Sequence, residues 1–231
     1  MREVIVVSAH LDDAVLSCYG TLSPAVTVVT VFAGFPPPGT LGAWDAGGGA
    51  VDSRERIAER RVEDREALAR SGAGLIHLDF HDVQYVTMGA VEPTAADALQ
   101  RALREQVGEA TTVLAPSALS AMRRPHWLRG RRYSDHRFVR DAVLAVRPDA
   151  TLYADLPYAL NPRSGGFALP RDVDSRGYTE QRRQLEDGLV ADKIASVRCY
   201  TTQLEQLRAT FGDFVNAAGL GLEVYWESTR A

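Results

Sequence analysis

The chain has 231 residues, 45% of them hydrophobic, and a formal net charge of −4 at pH 7, enough for one substantial α/β core but with no overall attraction to nucleic acid or anionic lipid. No apolar run is long enough to span a membrane and no signal-peptide pattern opens the chain, so a soluble, cytoplasmic protein with no nucleic-acid or membrane partner is expected. Cys18 and Cys199 are the only cysteines; they support neither a disulfide framework nor a thiolate zinc site, and leave nitrogen and oxygen as ligands for any metal.

The run Val4-Ile5-Val6-Val7-Ser8-Ala9 predicts a buried strand that delivers His10-Leu11-Asp12-Asp13 at its end. Residues 14–19 predict a helix stopped at Gly20, and residues 25–32 a second buried strand, a βαβ opening. Residues 34–53 carry Pro36-Pro37-Pro38-Gly39, Trp44-Asp45 and Gly47-Gly48-Gly49. They are too irregular for an element and too long for a plain connection, and read as a flexible loop over the site. Arg, Glu and Ala dominate residues 52–70, with Ile57, Val62, Ala67 and Leu68 near helical spacing, so a long amphipathic helix follows, ended by Ser71-Gly72-Ala73-Gly74. Residues 75–80 predict a third strand, 95–107 a helix, 111–116 a fourth strand, 134–146 a helix after a long basic connection, and 151–156 a fifth strand. Residues 161–177 read as loop and 192–208 as a helix broken near Tyr200-Thr201-Thr202. Strands alternating with helices predict a single α/β domain over residues 1–231, with a doubly wound, mainly parallel, Rossmann-like sheet.

Polar residues that follow a strand in such a sheet lie at its carboxyl edge, where ligands bind. One imidazole and two carboxylates in His10, Asp12 and Asp13 suit a divalent metal with a general base. The competing reading makes the two aspartates an N-cap pair favoured by the helix dipole. Asp135-His136 also follows a strand and a loop, so His10, one of the first carboxylates and His136 could meet at one rim and leave zinc an open position for water. Taken alone, His136 is more often a helix-start or surface histidine.

These segments resemble the PIG-L/LmbE-like zinc-dependent N-deacetylases, which act mainly on N-acetylglucosamine-type groups. The family's Ala-His-Pro-Asp-Asp motif stands here as Ala9-His10-Leu11-Asp12-Asp13, and its His-x-Asp-His motif as Tyr133-Ser134-Asp135-His136. An Arg-x-x-Glu-x-x-x-Ala pattern matches Arg60, Glu63 and Ala67. Leu78-Asp79-Phe80-His81-Asp82, Asp155-Leu156-Pro157-Tyr158-Ala159 and the stretch from Lys193 through Tyr200 to Gln203 match further family segments, in order along nearly the whole chain. The resemblance implies zinc held by His10, Asp13 and His136, with Asp12 as the general base toward the attacking water. It also implies Asp135 as a catalytic-site residue orienting its neighbours, and Arg60, Asp82 and Tyr158 on the substrate. An N-cap role for Asp135 and an exposed helix position for Arg60 are the ordinary alternatives.

The chain departs from the family at Leu11, which replaces a proline, and at Tyr133, where the family commonly has a histidine that stabilises the tetrahedral oxyanion or protonates the departing amine. A tyrosine can donate to an oxyanion but cannot act as an imidazolium. His126, just upstream, is either a substitute or a surface residue. The expected function is metal-dependent removal of an acyl group, acetyl first among them, from an N-acylated amino-sugar-containing small molecule of specialised metabolism. An amidase on a larger sugar or thiol conjugate and a non-catalytic metal-containing binding protein are the alternatives; retention of Asp12 speaks against the second. The basic residues 123–132, with Trp127 among them, read as facing an anionic substrate group or solvent rather than nucleic acid.

Overall fold

The β-branched runs pair side by side in a computed structural model that describes residues 4–118, 134–161 and 166–229. Five strands, β1 (Val4–Ser8), β2 (Val26–Thr30), β3 (Gly74–His77), β4 (Thr112–Pro116) and β5 (Thr151–Tyr153), run parallel. Val6 lies opposite Val28 on one side and Leu114 on the other. Ile5, Val6, Val7 and Val29 are completely buried, as expected of strands covered on both faces. Two further strands, β6 (Tyr178–Gln184) and β7 (Leu222–Ser228), complete a seven-stranded sheet of order β3-β2-β1-β4-β5-β7-β6. Both join it antiparallel, β7 to β5 and β6 to β7.

The helices are α1 (Asp13–Cys18), α2 (Ala43–Gly47), α3 (Ser53–Ala69), α4 (Val83–Thr87), α5 (Ala96–Val107), α6 (Asp135–Val146), α7 (Asp187–Val197), α8 (Thr201–Phe211) and α9 (Ala217–Leu220). They sort into two layers: α5 packs on α6, while α1, α3, α7 and α8 are linked by mutual contacts. The fold is the expected single-domain, doubly wound α/β arrangement, with an antiparallel extension at one edge. Among the described residues no helix is long and apolar enough to cross a membrane.

The structure departs from the sequence reading in two places. Residues 34–53 are not merely irregular: they contain α2, and Asp45 within it is completely buried. The late chain forms two strands and three helices where only a loop and one broken helix are expected from its pattern. The reason is visible in β6, whose residues after Tyr178 are all exposed and therefore carry no alternation of apolar and polar side chains.

Polar contacts tie this late chain to the first half. Glu63 on α3 accepts from the Thr201 and Thr202 hydroxyls at 2.7 Å each and from Thr202 N at 2.8 Å, which caps the start of α8 from another helix. The Tyr200 hydroxyl donates to Asp64 at 2.8 Å. Lys193 Nζ on α7 lies 2.8 Å from Glu223 on β7, both side chains wholly buried, and Glu223 also accepts from Gly20 N and the Tyr225 hydroxyl. Removing one partner of a buried pair leaves an uncompensated charge, so Lys193→Met should destabilise the fold by about 3–5 kcal/mol in denaturant melts. A loss below about 1 kcal/mol would show that the pair is incidental to the docking of α7.

Candidate metal centre and active-site cleft

The strand order reverses between β1 and β4, and open α/β sheets bind ligands in the crevice outside the carboxyl ends at that point. His10, Asp12 and Asp13 follow β1, Asp82 follows β3, Asp155 follows β5, and Asp135 and His136 open α6. The turn after β1 is closed by its own polar groups: Ser8 Oγ donates to His10 O at 2.7 Å, and Asp13 Oδ2 accepts from His10 N at 2.7 Å. Gln203 Nε2 on α8 donates to Leu11 O at 3.0 Å and pins the turn from outside. Asp12 is the N-cap residue of α1 but makes no capping bond with its side chain. The capping explanation of Asp12-Asp13 therefore fails, and both carboxylates face a cleft of about 190 Å³.

His136 is 5% exposed and its Nδ1 lies 2.6 Å from Asp155 Oδ1; the other oxygen of Asp155 accepts from Ser117 Oγ at 2.8 Å. In the neutral ring, the form that binds a metal, a carboxylate partner places the proton on Nδ1 and leaves the Nε2 lone pair free. That Nε2 is buried, has no hydrogen-bond partner among the described residues, and lies 3.7 Å from Asp13 Oδ1. Ligand atoms of His10, Asp13 and His136 all fall within 4.8 Å of one another. His10, Asp82 and Asp135 satisfy the same criterion. In that second set Asp135 Oδ2 is engaged by His10 Nε2 at 3.2 Å and Val83 N at 3.3 Å, and Asp82 by Gln84 N at 2.8 Å, while Asp135 Oδ1 is buried without a hydrogen-bond partner among the described residues. Only the first set holds an orphaned buried nitrogen backed by a carboxylate, so two imidazoles and Asp13 fit a zinc ion with room for a further ligand.

The electrostatics of the site point the same way. Burial pushes Asp12 up to about 7, with the Asp13 charge adding to the rise. Burial acts on Asp13 in the same direction, but His136 and His10 outweigh it and hold the carboxyl below its ordinary value. Burial alone would lower His136; the charges of Asp13 and Asp155 override it and raise the imidazole to about 8. His10 is raised for the same reason, by Asp13 and Asp135. Two imidazoles held toward the protonated form report a pocket rich in negative charge, the condition a divalent cation satisfies.

Asp135 is buried and contacts His10 directly, while Ser134 is the N-cap residue of α6, so the capping alternative for Asp135 does not hold. Burial and the Asp82 charge push its carboxyl up. Asp82 lines the cleft and caps α4, with its Oδ2 3.7 Å from His10 Nε2. Tyr158 lines the cleft and meets His136 edge-on at 5.3 Å between ring centres. Arg60 is 4% exposed and also lines the cleft, whereas its neighbour Arg61 turns away to His77 Nδ1 at 3.1 Å and the Phe35 ring. The exposed-arginine reading therefore fails for Arg60. Tyr133, His126 and the basic residues 123–132 lie outside the described residues. The sequence reading assigned no part to Asp155, although a carboxylate just past a buried strand was a legible signal. It gave none to Asp45 or Tyr85, whose surroundings offered no such signal.

The sequence profile of the GlcNAc-PI de-N-acetylase family, PIG-L, matches residues 5–147. The chain belongs to the PIG-L family. Among solved structures, this PIG-L chain is similar to a deacetylase of the teicoplanin biosynthesis pathway, at 25% identity and TM-score 0.74 over 99% of this chain and 100% of that one. It is similar to the A40926 pseudoaglycone deacetylase Dbv21 at 27% identity and TM-score 0.69, over 99% and 98%. The N,N'-diacetylchitobiose deacetylase of Pyrococcus horikoshii shares the fold at 16% identity and TM-score 0.54, over 98% and 82%. No curated protein sequence matches the chain. For this PIG-L chain the carboxylate behind His136 offers a test of the candidate centre: Asp155→Asn is expected to weaken zinc binding by about 10–100-fold with the fold intact. Competition with a chelator of known affinity measures it, and unchanged affinity would remove Asp155 from the centre.

Proposed function

We propose that this chain is a zinc-dependent N-deacetylase that removes an acetyl group from an amino-sugar-containing small molecule, with residues 1–231 acting as one deacetylase domain. The observation that carries the reading is the orphaned Nε2 of His136, turned toward Asp13 and His10, with Asp12 on the same turn and a cleft beside it. His10, Asp13 and His136 would hold the zinc, whose Lewis acidity polarises the amide carbonyl and lowers the pKa of water.

The chain's own groups then divide the remaining work. Asp12, buried on the same turn as His10 and Asp13 and lining the cleft, is the base: it takes the proton of the water attacking the amide carbon, and that proton is available to the nitrogen as the C–N bond breaks. Acetate and a free amine result. Asp135 orients His10 through its 3.2 Å contact, and Asp155 orients His136. Arg60, Asp82 and Tyr158 line the cleft where the sugar would sit. Tyr133, by its place in the second motif, donates to the tetrahedral oxyanion.

Metal analysis followed by a screen of N-acylated amino sugars tests the reading; a metal-loaded protein that released no acetate from any of them would overturn it. Asp12→Asn should keep its metal yet lose roughly a hundredfold or more in turnover, the scale of a general base. Tyr133→Phe should lower kcat by about ten- to a thousandfold with metal content unchanged, since one oxyanion donor is worth a few kcal/mol in the transition state. Wild-type kinetics in the Phe variant would eliminate that role.

A further inference from the structure

Asp45 sits completely buried in a segment of glycines and prolines, an unusual place for an unshielded carboxylate. Its Oδ2 accepts from the Tyr85 hydroxyl at 2.7 Å, and its Oδ1 lies 2.8 Å from Arg60 Nη1, a charge contact not aligned as a hydrogen bond. The three side chains come from α2, α4 and α3, and each of these helices also lines the cleft, through Trp44, Gln84 and Ile57. Helix α2 is itself held from several sides. Gly42 N donates to Ser53 Oγ at 2.9 Å, Trp44 N to Gln84 Oε1 at 3.2 Å, and Arg56 Nη2 to Gly48 O at 3.1 Å. A side chain at Gly42 would collide with Gln84.

An arginine buried for structure alone has its donors satisfied. Arg60 does not: its Nε and Nη2 are buried and have no hydrogen-bond partner among the described residues. We infer that Asp45, steadied by Tyr85, is a positioning residue that anchors Arg60 through Nη1 and so holds its guanidinium in the wall of the cleft, against the substrate. The inference rests on the deacetylase reading for what enters the cleft.

The test is a double-mutant cycle on KM and kcat, joined to nitrogen-15 NMR of the arginine guanidinium groups with Arg60 assigned by Arg60→Lys. In Asp45→Asn, KM should rise about tenfold with kcat within about twofold, the pattern of lost ground-state binding. Arg60→Gln should raise KM at least as far, and the double variant should match Arg60→Gln alone, because Asp45 acts through Arg60. Multiplying effects would overturn the inference, since Asp45 would then act by another route. The NMR arm needs no substrate: Arg60 should show a restricted guanidinium in the wild type that becomes mobile in Asp45→Asn. An Arg60 signal unchanged by that substitution overturns the inference. If Asp45→Asn does not fold, Tyr85→Phe replaces it in both arms, with a KM increase of about threefold expected from one lost hydrogen bond. A wild type that hydrolyses no N-acetylated amino sugar sinks the deacetylase reading, while the NMR arm still decides whether Asp45 orders Arg60.

Discussion

Burying many ionisable groups around one small space is the constraint on which the rest of this structure depends. Asp12, Asp13, Asp135, Asp155 and His136 are each less than a tenth exposed, and His10 stands among them. Like charges at such distances in a poorly solvated pocket cost several kcal/mol unless they are matched by partners. Matching is what the surroundings provide: Ser117 for Asp155, the His10 backbone for Asp13, and Val83 N for Asp135. Among the described residues the His136 Nε2 and one oxygen of Asp135 remain unmatched, together with a surplus of negative charge, which a divalent cation would answer.

The scaffold meets this demand by bringing distant parts of the chain to one sheet edge. Parallel pairing of β1 with β4 and of β4 with β5 sets the turn after β1, the start of α6 and the residues after β5 around the same crevice. The late helices then lock what the sheet has placed. Gln203 holds the carbonyl of Leu11, Tyr200 reaches Asp64, and Glu63 caps α8, so the wall of α3 and α8 is braced against the turn after β1. These contacts give a physical meaning to the Arg60-to-Ala67 and Lys193-to-Gln203 patterns: Glu63, Asp64, Tyr200 and Gln203 brace the walls of the cleft.

The parallel half of the fold was legible because its strands are continuous apolar runs and its long helix has dense charge with apolar spacing. That His10 and His136 meet at one sheet edge was legible for the same reason, since each follows a strand. Strand β6 was not, because it is exposed on both faces and its sequence, YTEQRRQ, carries no burial signal. Asp45 was hidden differently. Its segment reads as irregular from the prolines and glycines, and nothing local announces that Arg60 and Tyr85, brought from two other helices, will close around it.

Asp12 and Asp13 show how far surroundings can separate identical neighbours. Asp13 is the first residue of α1 and turns its carboxylate back to the His10 amide and toward His136, so that two imidazoles hold it ionised. Asp12, one residue earlier, accepts no capping bond, and burial together with the adjacent Asp13 charge pushes it up to about 7. An anionic carboxylate suits a ligand, and one poised near neutrality suits proton transfer. The division follows from a turn tight enough to send adjacent side chains in different directions.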